Sequence, residues 1–317
     1  MREVLRSLVA RTAKRTVRRG WTGAKDRAVA LGERRSDQRV GRDERLSEQN
    51  RRLSEQNRWL SEQNSRFKDH NRKLRSTLGS AGPPAYNADG LAVWGKDVPF
   101  LRDPSFIRAY RRGMDSGHSI GREKDSDADI HIEWRVHVAC WAGWHARHLP
   151  GHFVECGVNT GIFSLAVCDH IDFNATGKDF FLFDTFEGIP EEQMAVEERD
   201  HGLEANRAAY DECYELVRRN FAPFPRARLV RGRVPETLGT VTIDEVCYLS
   251  IDMNIAKPEM AAIEWFWDRL VSGAPVLLDD YGWSVHALQR KRMDEFASSR
   301  GVRIANLPTG QGLLLKP

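Results

Sequence analysis

The stretch that most constrains the fold of this chain runs from His152 to Pro190. It begins with a short apolar run and a glycine-containing turn, residues 155–161 (ECGVNTG), after which apolar residues recur at helical spacing from 162 to 169. A second, continuously apolar run, residues 180–183 (FFLF), ends at Asp184. Continuous apolar runs are typical of strands that are covered on both faces of a sheet. The stretch therefore predicts a strand, a glycine turn, a helix and a second strand that ends in an acid.

This order of elements is typical of a nucleotide-type cofactor site. Glycines after the first strand let the backbone approach a ligand, and the next helix offers free N–H groups at its start. Asp184 is placed to accept hydrogen bonds from both hydroxyls of a ribose. Because the turn lacks the three-glycine spacing of dinucleotide sites, it indicates a cofactor with a ribose but no pyrophosphate, such as S-adenosylmethionine. An ordinary strand–helix–strand unit with a glycine turn is the alternative.

Charge is unevenly distributed along the 317 residues. Residues 1–80 carry 22 Lys/Arg against 10 Asp/Glu, whereas residues 81–317 carry 26 against 35. The basic arm, residues 1–44, fits contact with an anionic membrane surface, and the alternatives are a solvated tail or a mitochondrial-type presequence. The five cysteines form no CxxC pair, and no apolar run is long enough to span a bilayer. We therefore expect a cytoplasmic protein with reduced thiols, peripheral at the inner face of the membrane if the arm binds there.

A seven-residue repeat follows the arm and predicts a coiled coil over residues 45–78, with a linker at 79–90 and the folded domain at 91–317. The repeat places apolar residues at one heptad position and asparagines at another (Leu46, Leu53, Leu60, Phe67, Leu74; Asn50, Asn57, Asn64, Asn71). Buried asparagine at such a position favours a defined register and a low oligomer number. This segment predicts a homo-oligomer or a coiled-coil partner. Glycines interrupt the basic residues ahead of it, so a continuous DNA-reading helix, and hence a nucleic-acid partner, is not favoured.

The rest of the chain alternates strand-like and helix-like segments. Further strands are predicted at 228–230, 246–251, 274–278, 302–305 and 312–316, with helices at 130–149, 208–221, 258–270 and 286–300. This alternation, closed by a hairpin, predicts an α/β fold with a doubly wound, Rossmann-like sheet whose last strand is antiparallel. Trp134, Val138, Trp141 and Trp144 recur near one face of the first of these helices, and we expect them in the core.

Acidic residues follow three of the predicted strands. Asp184 follows residues 180–183, Asp252 follows residues 246–251, and Asp279 and Asp280 follow residues 274–278. Ligands bind at the carboxyl ends of strands in such sheets, and carboxylate oxygens suit Mg²⁺. His286 lies a few residues further on and is a candidate base for an acceptor hydroxyl, although an isolated histidine is also typical of a surface or capping position. Asn254 either completes the metal shell or caps the following helix.

Five ordered motifs resemble those of the macrocin/mycinamicin-type O-methyltransferases: VECGVNTG, FLFDTFEGIP, RGRVPETL, SIDMN and LLDDYGW. The resemblance runs from Phe153 to the C-terminus and implies a class I, S-adenosylmethionine-dependent enzyme that methylates sugar hydroxyls with Mg²⁺. It implies that Glu155, Gly157 and Gly161 line the methionine end of the cofactor, that Asp184 holds the ribose, and that Asp252, Asp279 and Asp280 bind metal. Within the same motifs, Asn159, Thr185, Phe186 and Arg233 are further predicted cofactor-binding residues. Asp252 and His286 are the predicted catalytic residues.

The segment after the fourth strand departs from the family pattern. The usual D-x-D-x-Y is here Asp252-Met253-Asn254-Ile255-Ala256, so an amide replaces one acid and an aromatic residue is missing. We expect an O-methyltransferase, residues 91–317, that acts on a sugar hydroxyl of a glycan or glycosylated metabolite, in polysaccharide synthesis or a related process. An NAD-dependent oxidoreductase and a coiled-coil scaffold with a non-catalytic domain are the alternatives.

Overall fold

The computed structural model describes residues 82–120, 129–199 and 210–317, together with Arg51, Arg58 and Lys68, which are helical. The predicted basic arm and most of the predicted heptad segment lie outside the described residues. Contacts divide the chain between Gly82 and Pro83, and residues 83–317 form the second compact unit. In the described part of the chain, no helix is long and apolar enough to cross a membrane.

A seven-stranded sheet forms the centre of this unit. Five strands are parallel, and the last strand of the chain runs antiparallel to both of its neighbours. The predicted doubly wound sheet with a reversed last strand is therefore confirmed. In spatial order the strands are β5 (Ala227–Arg231), β4 (Phe180–Asp184), β3 (His152–Cys156), β6 (Val246–Ile251), β7 (Pro275–Leu278), β9 (Gly312–Leu315) and β8 (Ala305–Asn306). A separate hairpin pairs β1 (Tyr86–Ala88) with β2 (Leu91–Val93).

Helices cover both faces of the sheet and create two hydrophobic cores. Neighbouring strand residues point to opposite faces, so Phe153 enters one core and Val154 the other. The first core receives α1 (Pro104–Met114), α2 (Glu133–Ala146), α3 (Ile162–His170) and part of α4 (Tyr214–Asn220); the second receives α5 (Ala256–Trp267) and α6 (Ala287–Ser299). Burial on both faces explains why β3, β4, β6 and β7 read as continuous apolar runs.

Two of the tryptophans predicted to be in the core are on the surface. Trp141 and Trp144 of α2 are 45% and 50% exposed, so this prediction was wrong for them. The buried face of α2 is instead formed by small residues, and a Cβ added at Gly143 would lie 2.6 Å from Val167 Cγ1 of α3. The two helices pack too closely for indole rings, which are turned outward as a result.

The last predicted strand pair is shorter than expected. Residues 302–304 form no strand, because the N–H of Val302 donates to the carbonyl of Ala297 and so belongs to the C-terminal cap of α6. Gly301 has the positive φ, +69°, that is common in such caps. Strand β8 begins only at Ala305.

Candidate active site

The glycine turn after β3 lies where the strand order reverses, between β3 and β6. Gly157 has φ +89°, and a Cβ added there would lie 1.8 Å from the backbone oxygen of Asp252. The cofactor-type turn and the segment after β6 are therefore in backbone contact, which only glycine permits. Gly161, at φ +98°, is the N-cap residue of α3, and its missing side chain makes room for the ring of Phe221. In open α/β sheets this reversal point is where ligands bind.

Asp184, at the end of β4, holds that turn in shape. Its Oδ2 accepts hydrogen bonds from the backbone N–H groups of Val158 (2.5 Å) and Asn159 (2.7 Å). Its Oδ1 accepts from the N–H of Phe186 (2.6 Å) and the hydroxyl of Thr185 (3.3 Å). One carboxylate thus joins the loop after β3 to the loop after β4 through four charge-assisted hydrogen bonds.

A cleft that is open to solvent lies beside these two loops. Six of the predicted site residues line it: Gly157, Asn159, Asp184, Thr185, Phe186 and Asp252. The lining also includes apolar residues and two further polar residues, among them Ile189, Val234, Pro258, Tyr210 and Asn254. The structure thus brings the predicted ribose acid and one predicted metal acid to the same cleft.

The three predicted metal acids converge at the ends of the neighbouring strands β6 and β7. Each of Asp252, Asp279 and Asp280 offers an oxygen, and these oxygens all lie within 4.8 Å of one another. Loss of water around Asp252, together with the charges of the other two carboxylates, raises its pKa well above the usual range. Burial raises the pKa of Asp280 to about 6; His286 opposes this shift and Asp279 adds to it. The cluster therefore stabilises a positive charge or a shared proton.

The environments of these acids differ. Both carboxylate oxygens of Asp279 have a hydrogen-bond donor. Its Oδ1 accepts from Gln311 Nε2 (2.9 Å), and its Oδ2 accepts from Arg135 Nη1 (2.5 Å). The Oδ2 of Asp280 is buried without a hydrogen-bond partner in the described part of the chain. His286 lies at the start of α6 with its Nε2 3.8 Å from Asp280 Oδ1. The predicted base and the predicted metal acids are therefore neighbours.

Asn254 occupies the turn after β6 beside Asp252. Its Nδ2 lies 3.4 Å from both Asp252 Oδ1 and the hydroxyl of Tyr210. A buried glutamate behind this turn, Glu259, accepts from the N–H of Met253 (3.2 Å) and from Gln289 Nε2 (2.8 Å). Burial, with a smaller effect of Asp280, raises the pKa of Glu259 to about 8. Glu259 therefore braces the turn that carries Asp252.

Three predicted cofactor-binding residues lie outside the lining of the cleft: Glu155, Gly161 and Arg233. Glu155 is almost fully buried, and burial raises its pKa to about 8, with the charge of Asp184 adding to the shift. Its Oε2 has no hydrogen-bond partner among the described residues. The guanidinium of Arg233 forms an ion pair with Glu192 at the surface.

Sequence reasoning missed four residues of the site: Arg135, Tyr210, Glu259 and Gln311. Arg135 and Gln311 reach Asp279 from 144 and 32 residues away along the chain. No local spacing signals such contacts. Only Glu259 carried a local signal, because it is the second residue of the predicted helix 258–270 and acids favour the first turn of a helix.

Comparisons with known proteins agree with this architecture. The family described as "Macrocin-O-methyltransferase (TylF)" matches residues 137–306. The 8-demethyl-8-(2,3-dimethoxy-alpha-L-rhamnosyl)-tetracenomycin-C 4'-O-methyltransferase of Streptomyces olivaceus is 30% identical over 147 residues, which are 43% of this chain. The match spans 55% of that relative, or about half its length. The solved structure of the O-methyltransferase NovP matches this chain with a TM-score of 0.54 and 19% sequence identity. The match covers 67% of this chain and 96% of the NovP chain, so the two proteins have a common fold. Since the family match takes in more than half of the residues, the chain belongs to the macrocin-O-methyltransferase family, as its motifs predicted.

Proposed function

We propose that this protein is an S-adenosylmethionine-dependent, Mg²⁺-assisted O-methyltransferase that acts on a sugar hydroxyl of a glycan or glycosylated metabolite. The observation that carries the proposal is the convergence of Asp252, Asp279 and Asp280 at the strand ends beside the cleft of the glycine turn. Family membership supports the reaction type, and the relative's name, which specifies methylation of a rhamnosyl 4'-hydroxyl, supports a sugar acceptor.

The cleft fits the proposed methyl donor. Its lining combines the glycine turn and the loop around Thr185 with apolar side chains such as Phe186, Ile189 and Val234. A nucleoside requires that combination, because its base is largely apolar and its ribose is polar. When bound, S-adenosylmethionine supplies the activated methyl group. Asp184 contributes by fixing the turn, and because it also lines the cleft it is the acid that we expect to contact the ribose.

The acid cluster fits a hard divalent cation. Its donors are all carboxylate oxygens, and the buried Oδ2 of Asp280 lacks any partner among the described residues. Asp252 and Asp280 would hold the cation, with Asp279 beside them. A bound Mg²⁺ lowers the pKa of a coordinated hydroxyl and orients it.

The protein's own residues would then handle the acceptor proton. An amide cannot act as a base, so Asn254 is limited to hydrogen bonding with the acceptor or with Tyr210. His286 is placed for the base role, because it contacts Asp280 and its side chain is 21% exposed, which lets a proton pass on to water. Glu259 keeps Asp252 in place from behind.

We also propose that residues 45–78 join copies of the protein or dock it to a coiled-coil partner, and that the basic arm holds it at the cytoplasmic face of the membrane. The heptad pattern and the arginines of the arm support this part of the proposal. All five cysteines are free and buried, as expected for a reducing compartment.

Two measurements test the proposed reaction. Calorimetric titration with S-adenosylhomocysteine and with NAD should show binding of the first alone; binding of NAD alone would refute the methyl-donor assignment. Transfer of a labelled methyl group to rhamnosylated and related glycosides should require Mg²⁺ and be abolished by EDTA. Asp252→Asn should abolish transfer, whereas Asp268→Asn, an exposed acid on another part of the surface, should leave it unchanged.

A further inference from the structure

Arg135 lies within the acid cluster and contacts two carboxylates at once. Its Nη1 donates to Asp279 Oδ2 (2.5 Å), and its Nε and Nη2 donate to the two oxygens of Asp89 (2.8 and 3.3 Å). The arginine belongs to the first turn of α2, and Asp89 forms the turn of the β1–β2 hairpin at φ +52°. Since the arginine side chain is only 17% exposed, the ion pairs are shielded from water.

The surrounding residues hold this guanidinium in place. It lies over the ring of Trp283, 5.8 Å from the ring centroid. Gln311 bridges the same region, because its Nε2 is 2.9 Å from Asp279 Oδ1 and 3.4 Å from the backbone oxygen of Arg135. The guanidinium extends from α2 and is fixed by Asp89 of the hairpin and by Asp279 after β7, so it is a permanent part of the cluster.

Arg135 changes how the cluster can bind a metal ion. Both oxygens of Asp279 already accept hydrogen bonds, whereas Asp280 Oδ2 is buried and has no partner in the described ranges. The guanidinium also repels any second cation placed among the same carboxylates. Asp89 counteracts this repulsion, because it shares the guanidinium charge with Asp279.

We propose that Arg135 is a positioning residue that acts as a resident counter-cation of the acid cluster: it withholds Asp279 from the divalent cation, confines coordination to Asp252 and Asp280, and weakens the binding of that cation. The inference rests on the metal-binding part of the proposed function. A weakly held ion with few protein ligands keeps coordination positions open for water and for an acceptor hydroxyl.

The test measures Mn²⁺ binding to the full chain by electron paramagnetic resonance, without S-adenosylmethionine. Arg135→Gln frees Asp279 and removes a positive charge, so we expect Mn²⁺ to bind roughly tenfold more tightly or better. Asp89→Asn leaves the guanidinium to Asp279 alone and removes a negative charge, so we expect weaker binding. Arg108→Gln, which breaks a 2.7 Å ion pair with Asp169 elsewhere on the surface, should leave binding unchanged.

The proposal expects Mn²⁺ affinity to rise in Arg135→Gln and to fall in Asp89→Asn. Simple loosening of the site would lower Mn²⁺ affinity in both variants, so the signs of the two changes separate the explanations. Unchanged or weaker binding in Arg135→Gln, or no Mn²⁺ binding in any variant, would overturn the role of Arg135. Should Arg135→Gln fail to fold, Arg135→Met, which also removes the charge, is measured in its place with the same expected tightening, and unchanged affinity in Asp89→Asn also rejects the proposal. Binding of S-adenosylhomocysteine is measured separately, so failure of the methyl-donor assignment is distinguished from failure of this inference.

Discussion

Asp184 accepts a hydrogen bond from the backbone N–H of Asn159 at 2.7 Å and thereby joins the carboxyl end of β4 to the glycine turn after β3. The same carboxylate accepts from the N–H groups of Val158 and Phe186. The residue that the sequence assigns to the ribose therefore also determines the shape of the cleft.

Replacing Asp184 tests this double role. Asp184→Asn keeps the volume but removes the charge and one acceptor, so backbone N–H groups lose partners. We expect the free energy of unfolding to fall by about 1–3 kcal/mol, the usual cost of an unsatisfied buried donor. We also expect a loss of affinity for S-adenosylhomocysteine. Urea unfolding and calorimetry provide the two measurements, and wild-type stability in this variant would show that the hydrogen bonds are not important for the fold.

Gly157 provides a second test, with a matched control in the same chain. Gly157→Ala would place a Cβ 1.8 Å from the oxygen of Asp252, whereas Gly177→Ala, at a similarly positive φ of +70°, meets no atom within 4 Å. The control should cost about 1 kcal/mol from backbone strain alone. Gly157→Ala should cost at least about 3 kcal/mol or displace Asp252. Equal melting temperatures for the two variants would contradict the close approach of the two loops.

The buried Glu155 predicts a pH dependence of stability. Burial raises its folded pKa from the ordinary 4.5 to about 8, so the folded state binds its proton more tightly than the unfolded state does. The protonated Glu155 therefore stabilises the folded state fully below pH 4.5, and this stabilisation is lost as the pH rises through about 8. Each unit by which the folded pKa exceeds the unfolded one corresponds to about 1.4 kcal/mol of unfolding free energy. Glu155→Gln should therefore reduce the fall in melting temperature between pH 5 and pH 8, measured in EDTA. Some slope will remain, because the pKa of Glu259 is raised to a similar value. An unchanged slope would show that Glu155 is ionised in the folded protein.

His286 is tested by its effect on the rate. If it removes the acceptor proton, His286→Gln should lower kcat roughly 10²- to 10⁴-fold, the usual contribution of a general base. Affinity for S-adenosylhomocysteine should not change, because His286 lies outside the residues that line the cleft. His145→Gln, on the outer face of α2, is the control and should retain full activity. Full activity in His286→Gln would assign the proton transfer to another group.

The parts of the site that could be predicted from the sequence are those set by local pattern. The apolar runs predict β3, β4, β6 and β7, and residues that end such strands meet at one edge of the sheet. That geometry is sufficient to bring Asp252 close to Asp279 and Asp280 before any contact is known.

The parts that could not be predicted depend on packing between distant segments. The sequence predicts only that Arg135 lies in a helix, because its partner Asp279 is 144 residues away along the chain. Trp141 and Trp144 were placed in the core by apolar spacing, whereas the spacing of the small residues Ala139, Gly143 and Ala146 marks the true buried face of α2. Close helix packing selects small residues, so tryptophans on the same helix can remain on the surface.

The backbone contact between Gly157 and Asp252 has a consequence for how this protein can evolve. The loop that would receive the methyl donor and the loop that would bind the metal press on each other with no side chain between them. A substitution that moves one loop will therefore move the other. Donor affinity and metal affinity should vary together in mutants of either loop, and selection on one property will act on both.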